Sequence, residues 1–294
     1  MNRLSLRRSF LAACCVLMSC ARSRSQQAAP QPQPNMATEV TSAPVLVAPG
    51  PEEVTITGGD YRMKGIVFRT AGSGRSPVLV YNHGSELEPA LKFQKELGAW
   101  FQARDIAVVF PYRRGSSGSD GPYWADEIKK RPKEDADHAT IEQLMLQAGD
   151  VIGAVNWAAA QPFADAGRMA VAGCSFGGIV SLFAAERPMP ARAVVDFAGA
   201  SMSWASSWPL QQRMSEAALA ARVPVFFVQA ENDFNTEPSH VLSELMADAG
   251  KPNRMEIFPP HGKTRKEGHA HFCNFGMNEW GDDVVTFLRQ AWGR

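Results

Sequence analysis

The sequence is poor in cysteine, lacks long hydrophobic runs and has no excess of either charge. Lys and Arg together number 30 and Asp and Glu also number 30, so no electrostatic argument favours a nucleic acid or an anionic surface as partner. No apolar run approaches the roughly 20 residues that span a bilayer, and no internal repeat is evident. The 294 residues are 45% hydrophobic, which is enough for the core of one large domain.

Only two of the five cysteines lie beyond the N-terminal region. Cys14, Cys15 and Cys20 fall within the first 20 residues, which leaves Cys174 and Cys273. Neither of these two has the spacing of a metal ligand, and we predict no metal site. An oxidising compartment would permit a disulfide between them, but two cysteines near one site need not face each other, so we rank a bridge as the less favoured outcome.

Residues 1–20 are predicted to be an export signal. Arginines at positions 3, 7 and 8 precede an apolar run from Phe10 to Met18 that is too short to span a membrane. Residues 7–11 resemble the twin-arginine export signal, and ordinary Sec export is the alternative. We therefore predict an exported protein, either periplasmic or lipid-anchored in a bacterial cell envelope.

The end of the signal resembles a bacterial lipobox, Leu-Met-Ser-Cys at residues 17–20. If it is one, Cys20 becomes the lipidated first residue of the mature chain; ordinary cleavage between Ser19 and Ser25 is the alternative. Residues 21–51 are rich in Ser, Gln, Pro and Ala and predict a disordered tether, because they can bury too little apolar surface to offset the entropy of ordering. Residues 52–294 are then the folded domain.

Beyond residue 51, short apolar strands alternate with helical segments. Predicted strands cover 54–57 and 61–69 as an opening hairpin, then 77–82, 106–111, the stretch before residue 173, 193–197, 224–229 and 255–258. Helical periodicity covers 90–104, 135–160, 209–221, 238–249 and 278–292. This alternation predicts an α/β fold, a doubly wound and mostly parallel sheet with helices on both faces and functional loops at the carboxyl ends of the strands.

The motif Gly173-x-Ser175-x-Gly177 lies between a buried strand and a helix. Flanking glycines leave space for a cramped strand-to-helix turn, from which the Ser175 hydroxyl projects at the edge of the sheet. The helix start supplies free N–H groups and a positive dipole end, which suit an oxygen nucleophile and the anion that its attack creates. We predict that Ser175 is an acyl-transfer nucleophile, and the alternative is a connecting Gly/Ser turn.

Such a serine needs a base, and the base needs an acid that orients it. The strand 224–229 ends shortly before Asp233, which predicts this carboxylate at the same edge of the sheet as Ser175. We favour Asp233 over its competitors Glu231 and Asp196.

The base is expected after the last strand, in the loop that contains Gly268-His269-Ala270-His271. Only one of these two histidines, which are two positions apart, can act as the base for Ser175. His261 lies much closer to the strand. We favour His269, with His271 as the second choice.

Two backbone N–H groups are expected to form an oxyanion hole. One is that of Phe176, directly after the nucleophile. The other is that of Ser85, because His83-Gly84 after the strand 77–82 lets the chain turn inward. We interpret His83 as structural.

These residues resemble the α/β-hydrolase fold and, within it, the dienelactone hydrolase-like esterases. The matching pieces are Asn82 to Ser85, Tyr112 to Gly115, Gln161 to Phe163, Arg168 to Gly178, Ala230 to Asp233 and Gly268 to Ala270. The resemblance implies an eight-stranded core, no metal or organic cofactor, and hydrolysis of a carboxylic ester or lactone through an acyl-enzyme. It also implies Ser175, Asp233 and His269 as the triad. Two departures are a serine where better-known members carry a cysteine, and His271 where an aromatic is usual.

Two tryptophans are predicted to contact the substrate. Residues 118–137, which include Trp124, form either a partial lid over the site or a solvent-exposed surface segment. Trp204 lines an acyl pocket or packs in the core. Two other functions remain open: an acyl-aminoacyl-type peptidase, for whose usual propeller domain the tether leaves no room, and a non-catalytic envelope binding protein on the same scaffold.

Overall fold

The computed structural model describes residues 48–293. The predicted export signal, Cys20 and most of the predicted tether therefore lie outside the described residues. The first strand begins at Glu52. Of the helices in the described range, none combines the length and apolarity needed to cross a bilayer.

One sheet carries the fold. Its strands are β1 (Glu52–Ile56), β2 (Met63–Phe68), β3 (Ser76–Asn82), β4 (Ala107–Pro111), β5 (Ala164–Cys174), β6 (Ala191–Phe197), β7 (Val225–Ala230) and β8 (Asn253–Phe258). The helices are α1 (Leu91–Gln102), α2 (Trp124–Lys129), α3 (Ala136–Ala159), α4 (Phe176–Ala185), α5 (Trp208–Ala220), α6 (Glu237–Asp248), α7 (Phe272–Phe275) and α8 (Met277–Ala291). A π-helical turn at Glu267–His271 leads into α7.

The strand order is β1-β2-β4-β3-β5-β6-β7-β8. The pairs β1–β2 and β2–β4 are antiparallel, and every later pair is parallel. The predicted fold class is confirmed, with the opening hairpin at one edge and a parallel sheet beyond it. Because β3 and β5 to β8 run in one direction, the loops that follow them meet at one edge of the sheet.

Alternate residues of the central strands face opposite sides of the sheet. In β3, Val78 and Val80 join one hydrophobic cluster, and Leu79 and Tyr81 join the other. The first cluster packs under α3 to α6 and the second under α1, α7 and α8. Each large apolar side chain that is fully buried in this way contributes roughly 1.5–3 kcal/mol to folding. The two layers hold the central strands rigidly, so the loops at the carboxyl edge start from fixed positions.

The segment before α7 is helical where we predicted a loop. Thr264 and Glu267 form a capping box: the Thr264 N–H donates to Glu267 Oε2 (2.9 Å), and the Glu267 N–H donates to Thr264 Oγ1 (3.2 Å). Hydrogen bonds from the Lys263 backbone and from Thr264 lower the pKa of the Glu267 carboxyl. The signature Thr-x-x-Glu was present in the sequence, and it marks the start of this helical turn.

Candidate active site

Ser175 sits in the strained turn that its motif predicts. It lies between β5 and α4 with φ +57° and ψ −117°, a region that L-residues rarely adopt. A Cβ atom on Gly173 would lie 2.1 Å from the Gly177 carbonyl oxygen, and one on Gly177 would lie 2.4 Å from the carbonyl oxygens of Asn82 and His83. Only glycine fits at either position, and the turn therefore directs the Ser175 side chain away from the core.

A continuous chain of hydrogen bonds joins Ser175, His269 and Asp233. His269 Nε2 is 2.9 Å from Ser175 Oγ, and His269 Nδ1 is 2.9 Å from Asp233 Oδ1. The serine follows β5, the aspartate follows β7, and the histidine lies in the π-helical turn after β8. With the proton on Nδ1, the second nitrogen is free to accept the serine proton. The structure thus brings together the three residues that we selected.

The Asp233 carboxylate is held by several donors besides His269. Oδ1 accepts from Ser201 Oγ (2.6 Å) and from the Phe234 N–H (2.5 Å), and Oδ2 accepts from Gln229 Nε2 (2.8 Å). The sequence analysis missed Ser201 and Gln229. Gln229 carried a signal, because it is the polar residue in the otherwise apolar strand β7; Ser201 carried none.

The competing carboxylates lie elsewhere. Asp196 is buried and accepts from the Gly199 N–H (2.8 Å), and its burial raises the pKa of this carboxyl to about 7. Glu231 is exposed. Within residues 48–293, neither carboxylate is hydrogen-bonded to His269.

The other two histidines of this region belong to a separate cluster. His261 Nδ1 is 2.6 Å from Glu279 Oε1, and His261 Nε2 is 2.8 Å from His271 Nδ1. The His271 ring packs on Phe275 at 4.7 Å between centroids. His271 points away from Ser175 because residues two apart on a helical turn face different sides. In the described part of the chain, no group of three or more His, Cys, Asp or Glu side chains could hold a metal ion.

The loop after β3 is anchored through its carbonyl groups. Arg113 donates to the carbonyl oxygens of His83 (2.7 Å) and Gly84 (2.6 Å). The Ser85 carbonyl accepts from Tyr123 Oη (2.6 Å) and Trp124 Nε1 (3.1 Å). Among the described residues, neither the Ser85 N–H nor the Phe176 N–H donates to a protein acceptor.

His83 is enclosed beside this loop. Its Nε2 accepts from the Arg113 N–H at 3.4 Å. Burial and the nearby Arg113 charge hold the pKa of the His83 imidazole well below its usual range, so the ring stays neutral. None of its hydrogen bonds involves Ser175.

The two predicted substrate-contacting tryptophans have different environments. Trp124, at the start of α2, is partly exposed and packs against the Phe176 ring at 4.8 Å. Trp204 is only 3% exposed and belongs to the core cluster, so of its two predicted alternatives, an acyl pocket and core packing, the structure shows core packing. Its neighbours Met202 and Trp208 are instead exposed, at 64% and 65%.

A disulfide joins Cys174 and Cys273, and our preference against a bridge was wrong. Cys174 ends β5 and Cys273 lies in α7, with their Cα atoms 5.8 Å apart. The sequence predicts a loop around His269, and a loop does not fix where Cys273 lies. The helical turn carries α7 onto the carboxyl end of β5, where the two sulfur atoms meet.

Comparisons with known proteins identify the relatives of this chain. The sequence matches the model of the prolyl oligopeptidase family over residues 92–293. No curated protein matches it.

Solved structures share the fold at low sequence identity. An acylaminoacyl peptidase from Pyrococcus horikoshii is 14% identical with a TM-score of 0.62, and the match covers 85% of this chain and 43% of that chain. A puromycin-hydrolysing peptidase from Mycobacterium tuberculosis is 18% identical with a TM-score of 0.64, covering 83% and 39%. A protein from Klebsiella pneumoniae described as a dienelactone hydrolase is 12% identical with a TM-score of 0.60, covering 83% and 98%. This chain spans less than half the length of the two peptidases. The neighbours confirm the predicted α/β-hydrolase fold.

Proposed function

This chain belongs to the prolyl oligopeptidase family and is an α/β-hydrolase serine hydrolase, and from that premise we propose that it cleaves small carboxylic esters or lactones. Ser175 is the nucleophile, His269 the base and Asp233 the orienting acid. The observation that carries the proposal is the hydrogen-bonded chain from Ser175 Oγ through both ring nitrogens of His269 to Asp233 Oδ1.

The reaction follows from this geometry. His269 Nε2 takes the proton from Ser175 Oγ as the oxygen attacks the carbonyl carbon, and the amides of Phe176 and Ser85 stabilise the tetrahedral anion. When the anion collapses, the imidazolium returns the proton to the leaving alcohol and an acyl-enzyme remains. Water then repeats the sequence and releases the acid. Asp233 holds the ring and stabilises its positive charge.

Aromatic side chains next to the reacting atoms favour an uncharged, apolar acyl group. The Phe234 ring lies 5.5 Å from the His269 ring, and the Phe176 ring packs against Trp124 with an angle of 36° between the ring planes. Exposed Met202 lies in the same loop as Ser201, which donates a hydrogen bond to Asp233. Such side chains bury hydrocarbon from the substrate and carry no charge of their own that would pair with a carboxylate or ammonium group.

A second candidate is a peptidase that releases amines instead of alcohols. Two observations favour it: the family is that of prolyl oligopeptidase, and two of the neighbours are peptidases. The triad chemistry is the same for both bonds, so the candidates differ in the leaving group that the site accepts.

Parallel assays with a short-chain p-nitrophenyl ester and a set of aminoacyl p-nitroanilides test the proposal. We expect the ester to have the higher kcat/KM, and Ser175→Ala to lower its turnover by about 10³-fold or more. Faster cleavage of an anilide would assign the peptidase function. Undiminished ester turnover by Ser175→Ala would refute Ser175 as nucleophile.

We also propose that the chain is exported and lipid-anchored at Cys20. The Cys174–Cys273 disulfide supports export, because disulfides persist in oxidising compartments. Fractionation of cells that express the wild type or Cys20→Ala tests this: we expect the wild type in the membrane fraction and the variant in the soluble periplasm. Full-length protein in the cytoplasm would contradict it.

A further inference from the structure

The disulfide connects the residue before Ser175 to the helix that follows His269. Cys174 directly precedes Ser175, and Cys273 comes one helical turn after His269. Along the backbone, Ser175 and His269 are 94 residues apart. The disulfide is therefore a short covalent connection between the segments that carry the two ends of the Ser175–His269 hydrogen bond.

The position of the segment that carries His269 depends on contacts with other parts of the fold. The π-helical turn Glu267–His271 departs from regular α-helical hydrogen bonding, and α7 is only four residues long. Tyr81 Oη donates to the Cys273 carbonyl (3.1 Å), and Trp280 Nε1 donates to the Phe272 carbonyl (2.9 Å). These hydrogen bonds and the disulfide hold Phe272 and Cys273, the first two residues of α7, in place. Because the π-helical turn leads directly into α7, the position of α7 also fixes the position of that turn.

Reduction of the disulfide would increase the distance between the sulfur atoms of Cys174 and Cys273. Bonded sulfur atoms are about 2 Å apart, whereas unbonded heavy atoms pack at roughly 3.5–4 Å. Cys174 and Cys273 are 3% and 0% exposed, so neither thiol can turn into solvent without local rearrangement. Separation of the two sulfur atoms therefore loosens the connection between the end of β5 and α7.

We propose that the Cys174–Cys273 disulfide positions His269 against Ser175, so that reducing it slows acyl transfer while substrate binding persists. The inference rests on the proposed function. A displacement of about 1 Å at the reacting groups costs on the order of 10²-fold in rate. Reduction by a dithiol adds two electrons and two protons to the bridge, giving two thiols and the oxidised, cyclic reductant. The chain therefore reaches full activity only in an oxidising compartment.

Steady-state kinetics with p-nitrophenyl acetate test the inference on the wild type and on Cys174→Ala/Cys273→Ala, each with and without dithiothreitol. We expect reduction to lower kcat of the wild type by about 10- to 100-fold, with KM changed less than about threefold, and reoxidation to restore it. The double variant should have a low kcat that dithiothreitol does not change, which controls for direct effects of the reductant. The rate of fluorophosphonate labelling should fall in parallel with kcat. Near-UV circular dichroism verifies that each form is folded.

Equal kcat for the oxidised and reduced wild type, with both thiols detected by mass spectrometry, would overturn the inference. If the bridge resists reduction in the folded protein, the double variant decides: a folded variant with wild-type kcat overturns it. If the variant does not fold, the reduced wild type decides. Wild-type activity in Ser175→Ala would instead refute the proposed function, so the two failures are distinguishable.

Discussion

At the scale of single residues, His269 and His271 share a helical turn but make different contacts. His269 is buried between Ser175 and Asp233, whereas His271 bonds to His261 and packs on Phe275. The imidazole that can exchange a proton with Ser175 is therefore that of His269.

We predict that His269→Ala abolishes ester turnover and that His271→Ala retains most of it. Members of a triad act as a unit, so losing the base should cost about as much as losing Ser175, a factor of about 10³ or more, whereas losing His271 should change kcat by only a few-fold. The two variants serve as matched controls because they remove the same side chain from one turn. Retained activity in His269→Ala together with loss in His271→Ala would reverse the assignment.

Asp196 makes the stability of the fold depend on pH. Burial raises the pKa of its carboxyl to about 7, whereas an aspartate in the unfolded chain titrates near 4. Between these values the folded state binds the extra proton, so the stability present below about pH 4 is lost as the pH rises through 7.

We predict that Asp196→Asn removes this dependence. The amide keeps an oxygen that can accept from the Gly199 N–H and cannot ionise. Relative to the variant, the free energy of unfolding of the wild type should fall by up to about 1.4 kcal/mol per pH unit between about pH 4 and 7, and then level off. Urea unfolding of both proteins across this range measures the difference. Curves that stay parallel would show that Asp196 does not titrate in this way.

At the scale of elements, regular segments were predictable and the segment between β8 and α8 was not. The strand β7 is apolar except for Gln229, and α8 has clear helical periodicity, so both follow from local pattern. Residues 264–275 lack such periodicity. Their helical start depends on the capping box of Thr264 and Glu267, and their path depends on long-range bonds from Tyr81 and Trp280. The disulfide could not be predicted because it requires knowing where α7 lies.

The same contrast holds within the candidate site. Ser175 was predictable because its flanking glycines leave a local signature, and Asp233 and His269 followed from their order along the chain. Ser201, which donates a hydrogen bond to the Asp233 carboxylate, comes from the loop after β6. The two residues are distant in sequence, so their contact follows only from the fold. Trp204 is of a residue type that often lines ligand pockets, but its burial is set by the helices that pack over it.

At the scale of the whole molecule, one sheet gathers residues from distant parts of the chain at its carboxyl edge. The loops after β3, β5 and β7 bring the Ser85 amide, Ser175 and Asp233 to this edge, and the turn after β8 adds His269. The match to the prolyl oligopeptidase family over residues 92–293 includes the last three of these residues. Family and fold therefore agree on a serine hydrolase, and the parallel assays of esters and anilides distinguish the two leaving groups.

The central claim is that His269 activates Ser175, and labelling with a fluorophosphonate followed by peptide mapping tests it most directly, because only an activated serine reacts. We predict a single adduct on Ser175 in the wild type, none in Ser175→Ala, and labelling slowed by about 10²-fold or more in His269→Ala. No adduct on Ser175 in the folded wild type, as expected of a non-catalytic binding protein, or equally fast labelling of Ser175 in His269→Ala, would contradict the claim.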